Sequence, residues 1–438
     1  MTGRILYLTI SALTSILVAM NKETIHKEQD SSESVHSLAV MAKLQKLPLK
    51  EKIAQFSEIL ATTSRVPLFR REIIGTSGNC VHIRDPFTGD EREMLMFGSN
   101  NYLGLANHPH ILQAVKDQCD KFGTGVGGSP LLNGTTSMHL ALEKRLAKLK
   151  NKKACALFAS GYSAALGIIG ALAKRTDLVL MDELSHASMI DAVTFHRIPF
   201  RTFRHNSTEH VEELLVKFKD KYDDIFVITE GVFSMDGDIP DIPGLLELKK
   251  RFGFCLLVDD AHGLGVLGKH GHGVQEHFDT DEIDIILGTF SKTLALTGGF
   301  VAADKGLIDF IRFSSRSYIF SASLPILTIV AASAGLDVIE NEPHRVKELH
   351  DNMRFLIDKL GEKGIKVESP TAILPIPIPK EKDLQLISRQ VHEKNIFLNL
   401  VEFPAVSADS PRFRVSIMSD HKKEELQRLA DVVSEVLQ

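Results

Sequence analysis

The rhythm of apolar and polar positions changes along the chain, and the changes mark its segments. Residues 40–60, "VMAKLQKLPLKEKIAQFSEIL", carry apolar side chains at helical spacing, with Pro48 marking a break. Residues 70–97 read as short strands separated by Gly and Asp turns. From Pro109 onward two patterns alternate. "PHILQAVKDQCDKFG", "SMHLALEKRLAKLKN" and "GYSAALGIIGALAK" predict helices, whereas "ACALFAS", "DLVLMD", "DIFVITE", "FGFCLLVDD" and "DIILGTF" predict strands. The strands are apolar at nearly every position, which suits a sheet covered by helices on both faces. Their alternation with helices gives an α/β fold with a mostly parallel sheet. Beyond about residue 326 come a long helix and then "IKVES", "AILPIPI" and "FRVSIM" among further helices, the pattern of a smaller C-terminal α+β domain. The expected organisation is a leading segment and linker at 1–37, an N-terminal arm at 38–97, a large domain at 98–325 and a small domain at 326–438.

Composition narrows the class. A formal charge of −5 with no dense basic block argues against nucleic acid as a partner. Cys80, Cys119, Cys155 and Cys255 are scattered, with no CxxC pair. That spacing fits reduced thiols in a cytoplasmic enzyme better than a disulfide framework or a metal site. One segment stands apart. Residues 5–20, "ILYLTISALTSILVAM", are mostly apolar, slightly short for a bilayer span and without an A-x-A cleavage site. A signal-like or anchoring helix, an amphipathic arm, and an extension upstream of a start at Met20 all fit, so membrane association through this segment stays open. The polar "NKETIHKEQDSSES" after it reads as a flexible linker.

Candidate chemistry gathers where strands end. Ser160, Asp182, Glu230, Asp259 and Lys292 all fall at or just after the carboxyl ends of predicted strands, where open α/β sheets bind ligands. Two familiar motifs are excluded by context. "GTGVGG" matches G-x-G-x-x-G but follows a helix, and "DDAH" has no phosphate-binding G-x-x-x-x-G-K-[ST] loop upstream. The turn at Ser160-Gly161 offers backbone N–H groups to an anion, although such a turn is often only a helix cap. Asp259 ends a buried strand, where a carboxylate needs a cation. His262 and His186 alone would read as satisfied histidines, and Arg412 and Arg414 as the polar face of a half-exposed strand. Lys292 follows an apolar strand, and lysines are rarely buried without a partner. Together the set asks for one ligand with an anionic tail, a cationic nitrogen, a flat ring and an electrophile. Pyridoxal phosphate has all four, and a lysine imine with an acidic partner for the pyridine nitrogen is how proteins hold it.

The motifs "GSNNYLGL" (98–105), "HAS" (186–188), "EGVFSMDGD" (230–238), "VDDAHGLGVLG" (258–268) and "GTFSKTLALTGGF" (288–300) resemble the α-oxoamine synthases from about residue 70 to the C-terminus. The resemblance implies fold-type I, with an aspartate aminotransferase-like large domain. It also implies condensation of an amino acid with an acyl-CoA and loss of carbon dioxide. Lys292 would carry the cofactor and act as acid and base, Asp259 would pair with the pyridine nitrogen, and His262 would bond the ring hydroxyl. His186 would stack on the ring, and Ser234 would lie beside it. Gly161 and Tyr162, with Ser160, Thr289 and Ser291, would hold the phosphate. Asn101 and Arg414 would bind the substrate carboxylate, and Ser321 and Ser323 would reach the partner's phosphate in a homodimer. Two positions depart from the family: Pro130 replaces the arginine of "GSR", and Asp260 replaces the glutamate of "DEAH".

Within the family, "TFSKT" and "YIFSAS" look more like serine palmitoyltransferase than 7-keto-8-aminopelargonate (8-amino-7-oxononanoate) synthase or glycine C-acetyltransferase. Outside that chemistry stand a plain aminotransferase and a non-catalytic partner subunit. Retention of Lys292, Asp259 and His186 disfavours the second.

Overall fold

The computed structural model describes residues 44–438 apart from 65 and 404, so the apolar segment 5–20 and the linker lie outside the described residues. Among the described residues no helix is long and apolar enough to cross a membrane. The segment before the large domain carries the helix Leu49–Thr62, which starts just after Pro48, and three short strands: β1 (Glu72–Ile73), β2 (Cys80–Arg84) and β3 (Glu91–Met96). The large sheet follows with β4 (Ala154–Phe158), β5 (Leu178–Asp182), β6 (Phe200–Phe203), β7 (Ile225–Glu230), β8 (Cys255–Asp259), β9 (Ile285–Thr289) and β10 (Gly299–Ala303). The C-terminal part adds β11 (Ile373–Pro377), β12 (Ile396–Phe397), β13 (Asn399–Val401) and β14 (Arg412–Ser416).

The large sheet has the order β4-β10-β9-β8-β7-β5-β6. Strands β6, β5, β7, β8 and β9 pair in parallel. β10 runs antiparallel to both β9 and β4, so β4 points the same way as the parallel strands. The carboxyl ends of β4, β5, β7, β8 and β9 therefore share one edge. The first residue of β10, Gly299, lies there too, opposite Thr289 and Phe158. Alternate residues enter two cores, Leu180, Val227, Leu256 and Ile286 on one face and Val179, Ile228, Leu257 and Ile285 on the other. Burial of both faces is the reason the strands read as unbroken apolar runs.

Three departures from the sequence reading have local causes. β6 and β10 carry weak signals: β6 is an edge strand with Arg201 and Thr202 exposed, and β10 opens directly from the glycine pair Gly298-Gly299. "IKVES" keeps a strand-like alternation, with Val367 inside, yet pairs with no strand. β14 is not half-exposed. Phe413 and Val415 enter the core, while the opposite face is pressed against the large domain, leaving Arg414 only 5% exposed.

The small sheets tie distant parts together. β11, β14 and β13 form one. The other has the order β1-β2-β3-β12, with Ile396 of β12 pairing in parallel with Leu95 of β3. Val81, Ile83, Met94, Met96 and Met418 fill the core beneath it.

Candidate active site

β4 runs out at Phe158, and the helix Gly161–Leu172 starts three residues later. Ser160 caps it: its Oγ accepts from Ser163 N–H and its own N–H donates to Ser163 Oγ, both at 3.0 Å. The hydroxyl is occupied within the turn, and the N–H groups of Gly161 and Tyr162 stand at the positive end of the helix with no intrahelical acceptor. A Cβ on Gly161 would meet Thr289 Cβ at 3.1 Å, and one on Gly299 would fall 2.5 Å from the Gly161 nitrogen. Only glycine lets β10 pass this close to the helix start. Thr289 Oγ1 and Ser291 Oγ lie 2.9 Å apart beside it. N–H groups and hydroxyls thus converge in an anion cradle, while the Tyr162 phenol turns away to donate to Asp191.

The acids sit deeper. At the end of β8, Asp259 accepts Ala261 N–H on Oδ1 at 3.1 Å. Burial, with the adjacent Asp260 charge adding to it, pushes its carboxyl up to about 7, against the opposing pull of the Ala261 N–H and Lys292. Glu230, at the end of β7, is raised well above the usual carboxylate range by burial and by Asp259. It accepts the His186 N–H at 2.6 Å. Burial, then the nearby Lys292 charge, lowers the His186 imidazole and favours its uncharged form. Its Nδ1 lies 2.9 Å from Ser188 Oγ.

Lys292 lies just past β9, half-buried in a turn. Desolvation and the Arg414 charge lower its ammonium, and Asp259 and Glu230 oppose them. His262 is lowered well below its ordinary value by burial, then by Lys292, Arg414 and His186. Its Nδ1 meets the Tyr102 hydroxyl at 2.7 Å. Residues far apart in sequence therefore share one electrostatic neighbourhood around Lys292.

Arg414 reaches this neighbourhood from β14. Its Nε donates to Ser234 O at 2.5 Å, and its Nη1 donates to Asn100 Oδ1 at 3.0 Å and Ser416 Oγ at 2.8 Å. The neighbouring Asn101 uses Oδ1 to accept Leu105 N–H at 2.8 Å. Its Nδ2 is buried without a partner. Asn100 and Tyr102 lie in the stretch Ser99 to Tyr102 of "GSNNYLGL", which reads from sequence only as a loop able to meet a substrate hydroxyl; their individual roles depend on which side chains turn inward, and spacing does not show that. Glu230 was among the strand-end candidates but was given no role, and the structure brings it against His186 and Asp259. Ser321 and Ser323 line a separate hollow with Pro130, His139 and Tyr318, where Ser323 Oγ is buried without a partner.

These groups fit pyridoxal phosphate. The cradle at Gly161 suits its phosphate, the buried Asp259 carboxyl suits a ring cation, and the Lys292 amine suits its aldehyde. A model of "Aminotransferase class I and II" matches residues 92–433. The chain is 38% identical over 336 residues to serine palmitoyltransferase of Sphingobacterium spiritivorum, covering 76% of this chain and 84% of that protein. It is 35% identical over 342 residues to 8-amino-7-oxononanoate synthase 1 of Bacillus velezensis, covering 78% and 87%. Identity is 41% over 344 residues to 4-hydroxy-2,2'-bipyrrole-5-methanol synthase PigH of Serratia sp., but the match spans only 52% of that protein's length. Among solved structures, a serine palmitoyltransferase with pyridoxal phosphate superposes with a TM-score of 0.82 at 28% identity, covering 89% of this chain and 98% of that one. For 8-amino-7-oxononanoate synthase of Francisella tularensis the TM-score is 0.66 at 25% identity, covering 78% and 97%.

Proposed function

Because the chain belongs to the class I and II aminotransferase family and to its α-oxoamine synthases, we propose that it condenses L-serine with a long-chain acyl-CoA. The observation that carries this substrate choice is the likeness to serine palmitoyltransferase, which spans 98% of that structure at a TM-score of 0.82. In the reaction the Cα–H bond of the amino acid breaks. A C–C bond forms to the thioester carbonyl as the C–S bond breaks, releasing the CoA thiol, and the carboxylate carbon leaves as carbon dioxide. Pyridoxal phosphate supplies the electron sink for the bond broken at Cα.

The chain's residues bind, orient and move protons. Gly161 and Tyr162 N–H, with the Thr289 and Ser291 hydroxyls, hold the phosphate, and Ser160 keeps that turn in shape. Asp259 would hold the proton on the ring nitrogen, and that cation would offset the burial that raises its carboxyl. His186, whose uncharged form burial favours, would lie on the ring face, with Ser234 beside the ring. The Tyr102 hydroxyl holds His262 through Nδ1, which would leave Nε2 for a hydrogen bond with the ring hydroxyl. Arg414 and the free Asn101 Nδ2 bind the substrate carboxylate. Lys292 takes the Cα proton, since burial and Arg414 favour its neutral amine, and Lys292 or His186 returns a proton to the product carbon. Ser321 and Ser323 reach the phosphate of a second copy in a homodimer.

A matrix of amino acids against acyl-CoAs, read by thiol release and by the cofactor's absorbance, tests the proposal. L-serine is expected to shift the spectrum at lower concentration than L-alanine or glycine, and long-chain acyl-CoA to outpace pimeloyl-CoA. Faster turnover of L-alanine with pimeloyl-CoA would replace this reading with 8-amino-7-oxononanoate synthesis. Transfer to a 2-oxo acid without CoA would replace it with transamination.

A further inference from the structure

Directly after Asp259 stands a second buried carboxylate, Asp260, 1% exposed, and its partner Lys150 is 0% exposed. Lys150 closes the helix Ser137–Leu149 as its C-cap. Its Nζ donates to Asp260 Oδ2 at 2.6 Å and to the His272 carbonyl. Val274 N–H lies 3.2 and 3.3 Å from the two carboxylate oxygens. The Asp260 backbone is also tied down: its N–H donates to Leu287 O at 2.8 Å, and Gly263 N–H donates to its carbonyl at 3.1 Å. Three glycines wall the carboxylate. A Cβ at Gly263, Gly273 or Gly231 would stand 1.8, 2.0 or 2.4 Å from its oxygens. An aspartate fills this cage, and a longer acid would have a further methylene to place there.

We propose that Lys150 is a positioning residue of the active site: through Asp260 it fixes the turn that carries Asp259 and His262, and it neutralises the carboxylate next to Asp259. The charged groups acting on Asp259 are Asp260, Lys292 and Glu230, and the one acting on Asp260 is Lys150. With Lys150 in place, the Asp260 charge next to Asp259 is offset by a buried cation 2.6 Å from it. Without it, Asp259 stands beside a buried and unpaired acid, and the turn leading to His262 loses its anchor. The pair therefore couples the end of one helix to the group that faces the ring nitrogen.

The inference rests on Asp259 serving that nitrogen, so Asp259→Asn is measured alongside. Lys150→Met, Asp260→Asn and the double variant are compared by melting temperature, by equilibrium binding of pyridoxal phosphate, and by pH titration of the bound cofactor's absorbance. Each single variant is expected to bind the cofactor about tenfold more weakly. Their absorbance midpoints should move in opposite directions, up for Lys150→Met and down for Asp260→Asn. The double variant, neutral again, should recover most of the affinity and return the midpoint toward wild type. A folded single variant with wild-type affinity and an unmoved midpoint would overturn the inference, as would a double variant whose loss equals the sum of the two. If Lys150→Met fails to fold, Asp260→Asn and the double variant carry the same comparison. If Asp259→Asn itself leaves the spectrum unchanged, the reading of the site fails instead.

Discussion

Two clusters of acids lie at the same edge of the large sheet, and they have been treated in opposite ways. Asp182, at the end of β5, is paired: His205 Nδ1 lies 3.0 Å from it, and His205 Nε2 lies 2.8 Å from Asp238. The two carboxylates overcome burial and hold the imidazolium up to about 10, and Asn206 and Leu184 N–H groups, each at 2.9 Å, complete the Asp182 shell. Asp259 and Glu230, at the ends of β8 and β7, press on each other, and among the described residues neither is hydrogen-bonded to a cation, Lys292 acting on Asp259 only through space; burial raises both. The paired cluster is finished within the described residues, whereas in the proposed function the unpaired one takes its cation from the cofactor ring. A buried acid at a strand end marks a site when its cation is missing.

Lys292→Ala should break the contrast most severely: the imine absorbance disappears, borohydride no longer fixes cofactor to the chain, and thiol release falls by at least about a thousandfold. Asp259→Asn should keep the fold and lose about 10²–10³-fold in rate, because an uncharged amide cannot hold the ring nitrogen's proton. Near-normal turnover would remove Asp259 from that role. Asp182→Ala should do the reverse. It strips His205 and two backbone N–H groups of their acceptor, destabilising the fold by about 2–3 kcal/mol in urea unfolding, while pyridoxal phosphate still binds the variant that remains folded.

Acidity offers a gentler test of the same contrast. Both shifts are upward, so each contribution is fully present below the unfolded-state value and lost as pH rises through the folded one. For His205 that window runs from the ordinary histidine value of 6.5 to about 10; its ion pairs therefore still support the fold at pH 8. For Asp259 it runs from 3.8 to about 7, so the cofactor-free protein carries the full penalty of a buried carboxylate at pH 8. Asp259→Asn in the cofactor-free protein should thus gain stability relative to wild type between pH 5 and 8, and His205→Gln should lose it below pH 9. Parallel unfolding curves for wild type and Asp259→Asn across that range would show that Asp259 is not strained. The smallest effect belongs to Ser160→Ala, about 1 kcal/mol from the lost helix cap, with weaker phosphate retention.

Much of the site was legible in the sequence because strand ends are legible. Asp259 and Lys292 each follow an apolar run whose termination fixes where the side chain must emerge. Tyr102 and Asn100 gave no such signal, for they sit in a loop whose inward-facing residues are chosen by packing against His262 and Arg414. Arg414 was read correctly as a face of β14, but the face is covered rather than exposed, since Ser234 and Asn100 come to it from other segments. β10 was missed because it opens on Gly299, which is needed for the close approach to Gly161 and is a poor strand former. The feature that hid the strand is the one that builds the cradle.

The pairing of Leu95 with Ile396 has a consequence for biogenesis. As the nascent chain leaves the ribosome, β1, β2 and β3 are synthesised early, but the partner that covers the open edge of β3 comes from near the C-terminus. Until then that edge presents unpaired backbone groups, and such edges recruit other chains. Maturation of the arm is therefore the late, long-range step, and the interval before it is where chaperone demand and aggregation during expression should concentrate.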